Sequence, residues 1–420
     1  MATTSSPRVV ITGFGAVTPL GLSADALWEG LVAGRSGITR IRHYDATDFP
    51  VQIAGYIHEF EPTDYIERKE ARRMTRFTQL TIAAAQEAVR HAALDLSQED
   101  TTRVGVEIGN ATGSIETTIE QYEIFQEHGP RRLVPTVIPG AMINMAACQV
   151  AMTFGARGPA GAPVAACATG LYAVGDAYRR LQRGEADVMI AGAGESFLHP
   201  LAMSAFWRIQ ALSTRNEEPE RASRPFAKDR DGTVISEGAA VLILETEAHA
   251  RARGATILAE VVGYGLSQDA FHLIAPDPEG AGAARAIRGA LAESGVQPEG
   301  IDWISAHATA TPLNDLSETL AIKHVFGEHA YEIPISGLKS MLGHMLAAAG
   351  AASVIATVKA IQTNQIPPTT NYEIPDPVLD LDYVPNVARA LPVDIALSNA
   401  FGFGGQNACL IVRRYNDGEI

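Results

Sequence analysis

Apolar residues fall along this chain in short runs bounded by glycine, proline or charge. Val9-Val10-Ile11 is the first. Val104-Gly105-Val106, Val188-Met189-Ile190-Ala191, Ala239-Ala240-Val241-Leu242-Ile243-Leu244, Leu258-Ala259-Glu260-Val261-Val262, Trp303-Ile304, Ala396-Leu397 and Cys409-Leu410-Ile411-Val412 follow. Runs of this length predict buried strands. Between them apolar residues recur every three or four positions, which predicts helices near 24–33, 66–94, 140–153, 171–183, 280–295, after Asn314 and over 345–362. The polar, charged stretch 212–232 reads as a long surface excursion. Strand and helix patterns alternate on both sides of a short charged stretch, 246–254, without long residue identity between the halves. The expectation is an α/β fold of two similar layered halves with largely parallel sheets.

One stretch carries chemistry by its position. The small and apolar run Gly161–Ala166 ends at Cys167, and the helical pattern of Leu171, Val174, Tyr178 and Leu181 begins just beyond. A cysteine between a strand end and a helix N-terminus meets free N–H groups and the positive end of the dipole, which favour a thiolate. A small buried structural cysteine fits the same stretch equally well. Near the N-terminus Gly13-Phe14-Gly15 opens like a dinucleotide fingerprint, but Thr18 stands at the third glycine position, so a tight turn is the better reading.

Composition narrows the classes. The 420 residues are 46% hydrophobic, enough for a large core, and hold no apolar run of membrane-spanning length and no cleavable basic-apolar leader. Three cysteines without a CxxC spacing argue against disulfides or zinc and for a reducing, cytoplasmic setting. A net charge of −15 disfavours nucleic acid. Against that acidic background Arg68, Lys69, Arg72, Arg73 and Arg76 form a local basic cluster, to which Arg131 and Arg132 can add. It reads as a solvated helix face or as a docking patch for an acidic partner.

Three further pieces hold reactive residue types. His307 stands at a strand end, followed by Thr309 and Thr311. Lys339 and His344 lie five apart before an alanine-rich helix. Phe401-Gly402-Phe403-Gly404-Gly405 is glycine-rich. Singly, each is also an ordinary turn or a satisfied structural group.

Together with Cys167 these pieces resemble the β-ketoacyl-acyl-carrier-protein synthases, decarboxylating condensing enzymes of the thiolase superfamily. The nearest type is the elongating synthase II of dissociated fatty acid synthesis, with its polyketide relatives. The resemblance runs from about Arg8 to Arg414. It rests on Ala166-Cys167-Ala168-Thr169-Gly170, Ala222-Ser223-Arg224-Pro225-Phe226, Lys228-Asp229-Arg230-Asp231-Gly232, Ser236-Glu237-Gly238-Ala239, Lys339-Ser340-Met341-Leu342-Gly343-His344 and Asn399 to Gly405.

The resemblance implies a thiolase-like duplicated five-layered α-β-α-β-α fold. The N-terminal half, 8–255, would carry the nucleophilic cysteine and the C-terminal half, 256–414, the His/Lys/His set, with tails at 1–7 and 415–420. It implies a homodimer, and a decarboxylative condensation of an acyl group on Cys167 with malonyl-carrier. His307 and His344 would stabilise the enolate, with Lys339 and Glu318 in support. The backbone N–H groups of Cys167 and Phe401 would form an oxyanion hole, with Phe401 also the gating aromatic. Thr309 and Thr311 would bind pantetheine, and Thr112 and Phe206 would line the acyl pocket. Arg68, Lys69, Arg72, Arg73, Arg131 and Arg132 would dock an acidic acyl carrier protein. No metal and no cofactor beyond the carrier's phosphopantetheine is implied.

The chain departs from the family pattern at Ala308, usually glycine, at Ser353, often glutamate, and at Thr112, usually bulkier and apolar. The last departure implies altered chain-length or branch tolerance. A thiolase would need a second cysteine as base, and Cys409 lies in the terminal strand, away from the family's position for it. The initiating synthase uses Cys-His-Asn, and a non-elongating partner subunit lacks the cysteine. A ketosynthase subunit of a type II polyketide-like pathway shares all these motifs.

Overall fold

A computed structural model describes residues 6–417; the rest of the two tails lies outside the described residues. Ten strands form one continuous sheet: β1 Val9–Val17, β2 Val104–Gly109, β3 Ala160–Gly161, β4 Val188–Glu195, β5 Gly238–Thr246, β6 Ala259–Gln268, β7 Trp303–Ser305, β8 Ile335–Ser336, β9 Ile395–Gly402 and β10 Gln406–Arg413. Their spatial order is β8-β7-β9-β10-β6-β1-β5-β4-β2-β3. Reading outward from the centre, β1-β5-β4-β2-β3 and β6-β10-β9-β7-β8 are the same order of first, fifth, fourth, second and third strand. The halves therefore share a topology. They join where three residues of β1 pair with β6, Val9 to Ile11 against Val261 to Ala259.

The sheet is mixed, not largely parallel. The outer pairs β2/β3, β2/β4, β7/β8 and β7/β9 are parallel, and the five inner pairs are antiparallel. Apolar runs mark buried strands in either orientation, so composition alone does not separate the two.

Five helices complete the layers: α1 Arg76–His91, α2 Thr169–Gln182, α3 Ala281–Ser294, α4 Pro312–Phe326 and α5 Ala347–Thr363. α1 covers the outer face of the first half, and α3 with α4 covers the second. α2 and α5 pack on each other and on strands of both halves, so they form the middle layer. Buried on all sides except at its last turn, α5 is mostly alanine, glycine and aliphatic residues. The two central helices touch at backbone distance. A Cβ on Gly170 would lie 2.5 Å from the Ala347 carbonyl, and one on Gly350 2.8 Å from the Leu171 nitrogen. This contact brings the start of α2, and so Cys167, against the start of α5.

Three local expectations change. Gly13 and Gly15 lie inside β1, not in a turn, and a Cβ at either would strike the α1 backbone at 2.5 and 2.2 Å. The pattern at 66–94 is two helices, Arg68–Ala71 and α1, broken at Arg72–Thr75. The stretch 212–232 runs over the surface at 214–221 but buries its middle, 222–227, where Arg224 pairs with Asp229 at 2.7 Å; beside it Arg230 pairs with Asp376 at 2.7 Å. Charge marks exposure only where no partner is at hand.

A titrating clip ties β1, β5 and the chain before β2. Glu245 is fully buried and accepts from Thr12 (2.5 Å), His249 Nδ1 (2.6 Å) and Arg253 Nε (2.8 Å), while His249 Nε2 faces Glu99 at 2.9 Å. These donors hold the Glu245 carboxyl down at about 2 despite burial, and the bond to Glu245 raises the His249 imidazolium above 6.5. Glu245 contributes stability above its usual 4.5, lost as pH falls through about 2. His249 contributes below 6.5, lost as pH rises through its raised folded value. His249→Gln should therefore cost on the order of 1 kcal/mol at pH about 5.5 and less at pH about 8.5, read from urea midpoints. An equal loss at both pH values would contradict the charged clip.

Candidate active site

Cys167 lies in the tight turn Ala166–Ala168 directly before α2. Ala166 adopts φ +46°, a left-handed conformation that costs an L-residue about 1–2 kcal/mol. The Thr169 hydroxyl accepts from the Ala165 N–H (2.8 Å) and donates to the Ala166 carbonyl (2.7 Å), which holds that conformation. The thiol faces the backbone N–H of Phe403 and its own N–H, and both lower its pKa, as does the Lys339 ammonium. Burial outweighs them and pushes the thiol up to about 11. The lowering expected at a helix N-terminus is thus offset: Cys167 is only 7% exposed, and loss of water penalises the thiolate more than the nearby N–H groups and ammonium favour it.

His307 follows β7. Its N–H donates to Glu318 Oε1 (2.8 Å) and the Ala308 N–H to Glu318 Oε2 (2.7 Å), while Lys339 Nζ donates to the His307 carbonyl. One carboxylate and one ammonium therefore grip the peptide units on both sides of this histidine. Burial raises Glu318 to about 6 and lowers Lys339 to about 8, so both are charged near neutral pH. Ser223, in the buried run 222–227, donates to the Lys339 carbonyl at 2.7 Å.

His344 Nδ1 accepts from the Leu346 N–H at 3.3 Å. Burial pushes both histidines well below 6.5, so the rings are neutral. A neutral ring whose Nδ1 accepts carries its proton on Nε2. That Nε2 is buried without a partner, as is Nδ1 of His307. The two rings meet edge to face, centroids 5.5 Å apart.

Cys167, His307 and His344 line one cavity of ≈ 490 Å³. Thr309, Thr311, Phe206, Phe401 and Phe403 line it too, and the Thr309 and Thr311 hydroxyls lie 2.9 Å apart. Thr311 also caps α4. At the mouth Asn407 donates to Asp269 (2.6 Å) and the Asp269 N–H to the Gly405 carbonyl (2.8 Å), tying the chain after β6 to the glycine turn.

Several expectations shift. The backbone N–H beside the thiol belongs to Phe403, not Phe401, because the chain leaves β9 at Gly402 and Phe403 begins the turn that crosses the Cys167 loop. The Phe403 ring, partly exposed, lies 6.1 Å from Phe206, whereas Phe401 leans on His307 at 5.6 Å. Thr112 does not line the cavity. Its hydroxyl donates to Glu195 Oε1 at 2.7 Å. Glu195, missed in the sequence, is fully buried, takes further bonds from Asn110 and Ala111, and is pushed up to about 7 by burial. It lies behind Cys167, whose pKa it raises. Ala308 adopts φ +43°, so the methyl in place of glycine sits in a left-handed turn. Ser353 is buried in α5, its carbonyl bonded by Thr357. Cys409 is buried in β10 opposite Asn399 and does not reach the cavity.

Arg68, Lys69, Arg72, Arg73, Arg131 and Arg132 are exposed, and none lines the cavity. Arg76 differs. It binds Glu237 at 2.7 and 2.8 Å beneath Tyr56 and is structural. Among the described residues no cluster of His, Cys, Asp and Glu suited to a metal occurs, and no helix is long and apolar enough to cross a membrane.

Comparison with known proteins agrees with this geometry. Residues 6–250 match the family description "Beta-ketoacyl synthase, N-terminal domain" and residues 258–373 "Beta-ketoacyl synthase, C-terminal domain". The chain is 46% identical to 3-oxoacyl-[acyl-carrier-protein] synthase 2 of Synechocystis sp., covering 99% of this chain and 100% of that one. It is 44% identical to the synthase 2 of Coxiella burnetii, over 98% and 99%. Among solved structures it is similar to the ishigamide ketosynthase/chain length factor, with TM-score 0.92 and 36% identity over 98% of this chain and 100% of that one. A type II polyketide synthase ketosynthase, solved in complex with its acyl-carrier protein and bound to the hexaketide, superposes with TM-score 0.89 at 35% identity, again over 98% and 100%. With both halves matched and the cysteine and two histidines in one cavity, the chain belongs to the β-ketoacyl synthase family.

Proposed function

We propose that this protein is an elongating β-ketoacyl-carrier synthase of fatty acid synthesis. The observation that carries the reading is the buried thiol of Cys167 in one cavity with two neutral histidines, one of which presents a fixed, vacant Nε2–H. The Cys167 sulfur attacks an acyl-carrier thioester, and its proton leaves with the departing pantetheine thiol. Malonyl-carrier follows, its arm against Thr309 and Thr311. His344 Nε2–H and His307 donate to the malonyl thioester carbonyl. The bond to the carboxyl carbon breaks, carbon dioxide leaves, and its electron pair stays as the enolate. The enolate carbon attacks the acyl-Cys167 carbonyl. The oxyanion faces the N–H groups of Cys167 and Phe403, and collapse releases the thiolate and the β-ketoacyl-carrier. Lys339 and Glu318 position His307, and the Phe403 ring gates the mouth.

An acidic carrier fits the exposed cluster Arg68, Lys69, Arg72 and Arg73 with Arg131 and Arg132. A homodimer is supported by the short edge strand β3 and the exposed Phe125, Ile138, Met142, Met152 and Val164 in the chain around it. Three free cysteines fit the cytoplasm. The similarity to polyketide ketosynthases makes repeated extension the second reading. Mass analysis of carriers after mixing a medium-chain acyl-carrier with malonyl-carrier tests both. A product two carbons longer with one keto group is expected; several keto groups would favour the second reading, and no product would overturn both.

A further inference from the structure

Most polar side chains around the cavity are already engaged. Asp269 and Asn407 hold each other, Asn314 binds Asp315, and His272 Nδ1 accepts two backbone N–H groups. Thr309 and Thr311 bond each other. Besides the two histidines, one deeply buried cavity residue keeps a polar atom without a partner. This is Thr233, 4% exposed, whose Oγ1 makes no hydrogen bond.

Its placement is rigid. The Thr233 N–H donates to the Ala211 carbonyl (2.8 Å), and its carbonyl accepts from Ser213 (2.9 Å). On one side, Gly232 donates to Ala310, between the two threonines of the proposed arm site (3.1 Å). On the other, the Val234 carbonyl receives the His344 N–H at 2.7 Å. Thr233 is thus the link in the wall between arm site and histidine.

A vacant hydroxyl buried at such a point is destabilising unless a ligand meets it. Resting on the function proposed above, the occupants of the cavity are known by chemistry. The acyl chain on Cys167 is apolar and offers the hydroxyl nothing. The malonyl thioester carbonyl is taken by the histidines. The malonyl carboxylate remains: an anion that must leave water on entering and needs a donor.

We propose that the Thr233 hydroxyl donates to the carboxylate of the extender unit and so selects a malonyl-type over an uncharged thioester. The bond belongs to the ground state, because the negative charge leaves the carboxylate as carbon dioxide forms. Its loss should weaken binding without slowing chemistry. Thr233→Val removes the hydroxyl at constant shape. It should raise the KM for malonyl-carrier about tenfold, with kcat unchanged or higher and acyl transfer to Cys167 unchanged. Thr233→Ser should restore the wild-type KM. An unchanged KM in the valine variant would overturn the proposal, as would a fall in kcat or in acyl transfer, which marks a merely structural role. Wild-type protein assayed alongside separates the two readings: if it acylates but forms no β-ketoacyl product, the proposed function fails and this inference with it.

Discussion

Cys167→Ala should abolish condensation, by at least ~10⁴-fold, while decarboxylation of malonyl-carrier continues. The two activities separate because different groups carry them. In the proposed reaction Sγ accepts the acyl group, and no other cysteine lines the cavity. In the same proposed reaction His307 and His344 stabilise the enolate, and their positions depend on Glu318, Lys339 and the Leu346 N–H rather than on the thiol. Alanine is smaller than cysteine and suits a helix start, so the turn at Ala166–Ala168 should survive. Carrier masses read the result: acetyl-carrier should accumulate and no β-ketoacyl-carrier should form. A β-ketoacyl product from the variant would remove Cys167 from the reaction.

The second large effect falls on the other half-reaction. His344→Ala should lower malonyl decarboxylation by about 10²–10³-fold, the usual loss for one preorganised donor at a developing oxyanion. Transfer of an acyl group to Cys167 should be affected far less. The donor is worth this much because it is already aimed and dry: Nδ1 is tied to the Leu346 N–H, the ring is neutral, and Nε2–H is buried with no competing partner. The substitution also strips the Leu346 N–H of its acceptor, at a cost of about 1 kcal/mol in stability. His344→Asn keeps an amide donor and should retain more activity than alanine. Single-turnover labelling of Cys167 and release of carbon dioxide measure the two steps separately. Equal losses in both would mean that His344 supports the thiol rather than the enolate.

Much of this site could be read along the chain, since each reactive side chain lies in a short motif where residue type and position coincide. Cys167 stands before a helix, His307 after a strand, and Lys339 and His344 before α5, as expected. Other features depend on pairing between distant segments. Glu195 and Thr233 carry no local signal: one is an acid ending a strand, the other a threonine in a charged stretch. Their roles arise from the Asn110–Thr112 loop and from the Ala211 and His344 backbones. The Phe403 N–H could not be told from that of Phe401, because the choice depends on where β9 ends.

From sequence alone, the α/β class, the two halves, the family and the candidate reactive residues are legible, because periodicity, motifs and residue chemistry are local properties of a chain. The tertiary structure alone decides their states. Burial raises Cys167 to about 11 and keeps both histidines neutral, and a backbone N–H chooses the His344 tautomer. Protonation, orientation and vacancy follow from desolvation and from the partners each group meets in the fold, near or far along the chain, quantities that exist only once the two halves have closed around α2 and α5.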